Sequence, residues 1–319
     1  MNHFDRRTFL KTAAAGLAGA ALVQSPLAAA GKKKRKFTMA LVCGSIGVRA
    51  DQLDTIRLAA AHGFESVDPS AGYLAKLSDD QLEELLADLK AKNLVWAAAG
   101  LPVNFRGDEA TFTAGLAGLP ETADALRRAG VARVGTWLSP SHDALAYADN
   151  LKQHAVRLAE VAKVLGDRGL RFGLEYVGPK TSWTRGKYPF VHNMGQALEL
   201  IDHIGQKNVG LVLDSWHWYT AGETVDDLVK LTNDQVVACD LNDAPAGIPR
   251  DEQLDSKREL PCATGVIDLK GFLGALVTIG YDGPIRAEPF NQALRDMPDE
   301  EAVAATAAAM KKAFALVDG

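Results

Sequence analysis

The sequence predicts an α/β chain folded as one (β/α)8 barrel, on three observations. Short apolar, β-rich runs alternate eight times with longer segments of helical period. All eight repeats fall within residues 31–319, which matches the size of such a barrel, typically about 250 residues and often more. No strand runs into the G-x-G-x-x-G turn of a dinucleotide-binding sheet. An open doubly wound sheet is the alternative, and it requires some of the weaker strands to be absent. The composition is globular, with 319 residues of which 47% are hydrophobic and 24% charged, enough to bury a sizeable core.

Before the first strand, the chain reads Asp5-Arg6-Arg7-Thr8-Phe9-Leu10-Lys11, then a weakly apolar run over residues 12–23, then Ala28-Ala29-Ala30. This is the pattern of a twin-arginine signal peptide over residues 1–30. Its apolar run is too short for a hydrocarbon core of about 30 Å, so a cleaved leader is expected rather than a permanent anchor. The expectation is export by the twin-arginine machinery, to the periplasm or otherwise out of the cytoplasm. Loss of Arg6, Arg7 and Lys11 with Asp5 takes the net charge from −5 to −7. The five basic residues at 32–36 read as a solvated segment beside the cleavage site rather than a nucleic-acid patch. With a pI near 5.8, the chain lacks the basic face that nucleic-acid binding needs, and small molecules are the expected partners. Self-association into a homo-oligomer is left open. Cys43, Cys239 and Cys262 show no C-x-x-C spacing, which argues against a disulfide framework or a thiolate zinc site.

The strand runs are 37–42, 66–69, 95–99, 132–136, 171–175, 209–214, 236–241 and 284–288. The helical segments following them are 51–62, 78–92, 116–129, 145–167, 195–204, 224–231, 269–279 and 300–316. In the second of these, Leu82, Leu85 and Leu89 share a face and Ser78-Asp79-Asp80-Gln81 forms a capping box. No Ser/Gly-rich linker divides residues 31–319, so one domain is expected.

In such a barrel the chemistry sits at the C-terminal ends of the strands. Each of the last four strands ends in a carboxylate: Glu175, Asp214, Asp240 and Glu288. An acid at the end of an apolar strand is costly unless it is paired or holds a cation, and four from adjacent strands converge on one point. A divalent metal resolves that cost. An oxygen-rich set without thiolates favours Mn²⁺ or Mg²⁺, while nearby imidazole lets Co²⁺ or Zn²⁺ compete. His217, three residues after Asp214, is placed to contact a substrate or steady a ligand.

The phrases Gly173-Leu174-Glu175, Asn208-Val209-Gly210-Leu211-Val212-Leu213-Asp214-Ser215-Trp216-His217, Leu241-Asn242-Asp243-Ala244-Pro245, Gly265-Val266-Ile267-Asp268 and Gly280-Tyr281-Asp282-Gly283-Pro284-Ile285-Arg286-Ala287-Glu288 resemble the xylose-isomerase-like sugar phosphate isomerase/epimerase family. The resemblance covers most of residues 31–319 and is sharpest from Arg171 onward. It implies one divalent metal held by Glu175, Asp214 and Glu288, with His217 as the substrate-contacting histidine. It also implies that Glu175 and Glu288 act as an acid/base pair, moving a proton through a metal-stabilised enediolate.

Two departures stand out. The seventh strand carries Asp240 where family members commonly place His or Gln. A fourth carboxylate weakens a Lewis acid, makes Asp240 a neighbour of the ligands rather than a ligand, or marks lost turnover. In the loop 258–265, Cys262 stands where a glycine is usual, which removes easy access to positive φ.

The expected function is isomerisation or epimerisation of an unphosphorylated ketose or related carbohydrate. Elimination by a dehydratase or keto-sugar lyase uses the same site, and a non-catalytic carbohydrate-binding barrel is the remaining alternative. A metal-dependent endonuclease on this barrel is disfavoured by the negative charge and by only seven histidines. Arg258, with Arg250 and Lys257, is a candidate contact for substrate oxygens. Trp216, with Trp183 and Trp218, is a candidate surface for stacking on a sugar ring. His142 and His192 fall in loops at the same end and read as solvated.

Overall fold

All eight strand positions read from the sequence fall in one parallel sheet. The structure is a computed structural model, and it describes residues 34–318. The expected signal peptide lies outside the described residues. The strands are β1 (Thr38–Leu41), β2 (Ser66–Val67), β3 in two pieces (Val95–Trp96 and Ala99–Gly100), β4 (Arg133–Trp137), β5 (Arg171–Glu175), β6 (Val209–Asp214), β7 (Val236–Leu241) and β8 (Pro284–Ala287).

The pairing order closes the sheet into a ring. It starts at Val95–Trp96, passes through β2, β1, β8, β7, β6, β5 and β4, and ends at Ala99–Gly100. The two ends are therefore pieces of the same strand, separated by two residues. One piece pairs with β2 and the other with β4, which is how a barrel abolishes its edges.

One principal helix follows each strand: α1 (Gln52–His62), α2 (Asp79–Ala91), α3 (Glu109–Arg128), α4 (Tyr147–Gly166), α5 (Met194–Ile204), α6 (Ser215–Ala221), α7 (Leu269–Ile279) and α8 (Asp299–Phe314). The capping box at Ser78 and Gln81 forms as expected, with Leu82, Leu85 and Leu89 buried. Two helices depart from the reading. The third begins at Glu109 rather than 116, because Asp108 caps it by accepting from Thr111 N at 2.8 Å. The sixth starts directly after β6, because Asp214 is both strand end and N-cap; residues 224–231 supply only the short turn Val225–Leu228. No helix among the described residues is long and apolar enough to cross a membrane.

Inside the barrel, β6 and β7 are buried at every residue. Close packing requires a glycine on β5: a Cβ at Gly173 would lie 2.7 Å from Val212 Cγ2 and 3.0 Å from Val237 Cβ. At the barrel's other end, Arg171 Nη2 donates to the carbonyls of Asn233, Asp234 and Val236 and ties β5 to the start of β7.

Candidate active site

Strand register gathers the four acids. Asp240 on β7 is in register with Asp214 on β6 and with Arg286 on β8. Glu288, two residues beyond Arg286, shares its face, since side chains alternate along a strand. Glu175 closes the set from β5. One carboxylate oxygen from each of Glu175, Asp214, Asp240 and Glu288 lies within 4.8 Å of the others. They sit at a cavity of about 750 Å³ whose wall includes Glu175, His217, Asp240 and Glu288.

Each acid is held differently. Asp214 Oδ1 accepts from Trp216 N at 2.8 Å and Asn242 Nδ2 at 2.9 Å, while Oδ2 accepts from Arg258 Nη1 at 2.7 Å. Asp240 is clamped by Arg286, which donates from Nε at 2.6 Å and Nη2 at 2.8 Å. Glu288 accepts from Arg286 Nη2 at 3.0 Å and Arg258 Nη1 at 3.2 Å. Its backbone N–H donates to Asn242 Oδ1 at 3.0 Å, so Asn242 fixes Asp214 and Glu288 together. Glu175 Oε1 is buried and has no hydrogen-bond partner.

The electrostatics follow from burial. Desolvation, with Asp240, Glu288 and Asp214 nearby, drives the Glu175 carboxyl well above the carboxylate range. Burial raises Asp214 to about 6 against the pull of Arg258, and Glu288 to about 7 against Arg286. Asp255 moves the other way: the charge and hydrogen bond of Arg258 outweigh its burial and lower it. Two arginines do not balance this set of acids, and an unpartnered buried carboxylate oxygen remains. An oxygen-rich donor set with a surplus of negative charge and one orphaned acceptor fits a divalent cation.

The Asp240–Arg286 ion pair accounts for the departure on the seventh strand. A carboxylate with both oxygens on one guanidinium presents little net charge, close to that of the neutral His or Gln expected there. The fourth acid therefore adds less negative charge to the site than its identity suggests.

His217 is neutral, pushed down to about 3 by burial and by Arg258. Gly178 N donates to its Nδ1 at 3.2 Å. Its Nε2 lies 3.3 Å from Arg258 Nη2 and faces Glu175 Oε1 and Asp214 Oδ2, each at 3.8 Å, so both ring nitrogens meet donors. His217 also joins Glu175 and Asp214 in a second set of ligand atoms within 4.8 Å of one another that could hold an ion.

Two of the expected contacts are corrected. Trp216 is fully buried and absent from the cavity wall, because α6 begins immediately after β6 and turns its indole into the core. It is therefore not placed to stack on a sugar. Arg258 reaches the site but is 2% exposed, and besides Asp214 and Glu288 it holds Asp255 Oδ1 at 2.8 Å. Its donors are committed to these carboxylates and face His217 Nε2 at 3.3 Å, so it braces the acidic cluster rather than seeking a substrate oxygen. Trp218 packs on Phe272, and Trp183 stacks on His192 at 4.7 Å. His142 accepts from the backbone N–H groups of Ala144 and Leu145.

Cys262 keeps the backbone that glycine would favour, at φ 62°, so the loop turns left-handed despite its side chain. Asp243 secures this loop by accepting from the N–H groups of Thr264, Gly265 and Ile267. Sequence reasoning missed Arg286, Arg106 and Trp137, all on the cavity wall. The period-two alternation of 284–288 puts Arg286 on the face of Glu288, and Trp137 follows the fourth strand run directly. Those were the available signals; Arg106, in an irregular loop, gave none.

An inosose isomerase of Halalkalibacterium halodurans is 30% identical over 150 residues, 46% of this chain and 49% of that protein. A 3-dehydroshikimate dehydratase of Pseudomonas aeruginosa is 34% identical over 153 residues, 47% of this chain and 22% of that protein. The chain thus spans about half the length of the first of these relatives and less of the second. Among solved structures, a xylose isomerase domain protein from Alicyclobacillus acidocaldarius matches with a TM-score of 0.76 at 33% identity, over 86% of this chain and 97% of that one. The IOLI protein with a binding zinc atom matches in fold, with a TM-score of 0.73 at 20% identity, over 88% of this chain and 99% of that one. Residues 56–313 match the xylose isomerase-like TIM barrel family, and the chain belongs to that family.

Proposed function

We propose that the protein is a metal-dependent sugar isomerase or epimerase that moves a proton between neighbouring carbons of an unphosphorylated ketose or related carbohydrate. The observation that carries this reading is the convergence of four carboxylates within 4.8 Å, one of them holding a buried, unpartnered oxygen. Glu175, Asp214 and Glu288 would hold the ion, with Asp240 alongside and compensated by Arg286. The donor set suits Mn²⁺ or Mg²⁺, and the zinc in the IOLI structure supports Zn²⁺ as a competitor. When bound, the ion supplies Lewis-acid polarisation of a carbonyl.

The chain's own residues manage the proton. Glu175 and Glu288 reach the cavity from β5 and β8 and would act as the acid/base pair. His217, on the wall of the same cavity, would contact a substrate oxygen. Arg258 and Asn242 hold Asp214 and Glu288 in place, so little reorganisation accompanies proton transfer.

A dehydratase is the second reading, supported by the match to the 3-dehydroshikimate dehydratase. It begins with the same proton removal and ends with loss of a β-oxygen. Incubation with Mn²⁺ and a panel of ketoses and keto-acids in D₂O, followed by NMR, tests both. Deuterium incorporation that disappears in Glu288→Gln and with chelator is expected, and the product separates isomerase from dehydratase. Metal binding without exchange in any substrate would overturn both. The twin arginines support export before action, and unaffected export after replacing Arg6 and Arg7 with Lys would refute it.

A further inference from the structure

We infer that Arg106 is an anion seat and that the substrate carries a carboxylate at the end remote from the acidic cluster. The inference rests on the proposed carbohydrate-directed function and narrows its substrate class to acidic sugars or cyclic hydroxy acids.

The cavity has two unlike walls. Arg258 and Arg286 are cations on one wall, but their donors are taken by Asp214, Asp240, Asp255 and Glu288. Arg106 follows β3, four strands from β7 around a closed ring of eight, and so lines the opposite side. Among the described residues it has no acidic partner. Its guanidinium lies 4.2 Å from the Phe105 ring centroid and 3.9 Å from that of Trp137. Nη2 donates to Thr136 Oγ1 at 3.3 Å, while Nε is buried without a partner. Burial alone lowers its pKa to about 10, still charged at neutral pH.

The supporting loop is anchored from behind. Arg157 on α4 donates to the carbonyls of Phe105 at 2.9 Å and Gly107 at 2.7 Å, and pairs with Glu109 at 2.9 Å. Arg106 is thus a charged group held between two aromatic rings with an unpartnered donor, in a cavity where Arg258 and Arg286 are already paired with acids and Arg185 is the remaining cation. One guanidinium matches a monoanionic carboxylate in charge and in planar geometry. A phosphate dianion would need a second cation within reach of Arg106 to be fully compensated.

Calorimetric titration of the Mn²⁺-loaded protein with matched pairs tests this: D-glucuronate against D-glucose, D-gluconate against D-glucitol, and D-glucose 6-phosphate as the phosphate arm. The acids should bind about 10-fold or more tightly than their neutral partners, the range of a charge-assisted hydrogen bond. Since an acid can also reach the metal, the deciding quantity is dependence on Arg106. In Arg106→Gln the preference of each acid over its neutral partner should vanish. Should that variant fail to fold, Arg106→Lys keeps the charge, loses the planar fork and should reduce the preference. The inference is overturned if acids bind no better than neutral partners, if the preference survives the folded variants, or if glucose 6-phosphate binds more tightly than glucuronate. Proton exchange is a separate readout: Arg106-dependent preference without exchange sinks the proposed reaction and leaves the anion seat standing.

Discussion

Arg286→Met removes the guanidinium that holds both oxygens of Asp240 and one of Glu288. Asp240 is 1% exposed, so the variant leaves a buried carboxylate without its partner. Breaking a buried pair from one side costs about 3–5 kcal/mol. The Arg286 side chain is 31% exposed, which lets water reach the gap and favours the lower end, about 3 kcal/mol. For a domain of this size that is a fall in melting temperature of roughly 5 °C. The measurement is thermal or urea unfolding in chelator and again in excess Mn²⁺. If Asp240 faces the ion, Mn²⁺ offers the orphaned carboxylate a new partner, and the stabilisation by metal is larger in the variant than in the parent. An Arg286→Met protein as stable as the parent in chelator, within about 0.5 kcal/mol, would refute the argument that this pair neutralises the fourth acid.

Asp243→Asn exchanges one acceptor oxygen for a donor facing backbone N–H groups of Thr264, Gly265 and Ile267, and should cost about 2–3 kcal/mol with faster proteolysis within 259–267; unchanged cleavage would contradict it. Gly173→Ala should destabilise by about 1–3 kcal/mol in urea unfolding, since its Cβ would sit 2.7 Å from Val212 Cγ2. Glu223, bonded to Tyr176 and raised by burial from 4.5 to about 7, contributes stability that is complete below pH 4.5 and lost as pH rises through 7. Relative to Glu223→Gln, the parent should therefore lose up to about 3 kcal/mol between pH 4.5 and 7, and parallel stability curves would exclude the effect.

The later strands were the most legible part of the chain. Strands buried on both faces read as unbroken apolar runs, as 209–214 and 236–239 do, and the acids ending them mark where the barrel opens. The third strand was blurred because it is two pairs of residues serving different neighbours. The start of α3 was hidden by Gly115, which stands just before the predicted start at 116 and resembles a breaker yet lies inside the helix. At the site, residue types and their positions pointed to the acids and His217. Charge partners did not emerge, because pairing Asp240 with Arg286 depends on the register of β7 and β8, and bringing Arg258 to Asp214 depends on a long loop folding back over the cavity. The buried state of Trp216 likewise follows from where α6 begins, which the strand-end Asp214 concealed by doubling as a cap.

The most direct test of the central claim is calorimetric titration of the metal-free protein with Mn²⁺ in buffers of differing ionisation enthalpy. One ion per chain should bind. At pH 6 it should release at least one proton, because Glu175 lies well above the carboxylate range and Glu288 near 7 before the ion arrives. Binding should be lost or greatly weakened in Glu175→Gln and Glu288→Gln. Failure to bind any divalent ion, or binding indifferent to both substitutions, would contradict the assignment of these strand-end carboxylates as a metal site.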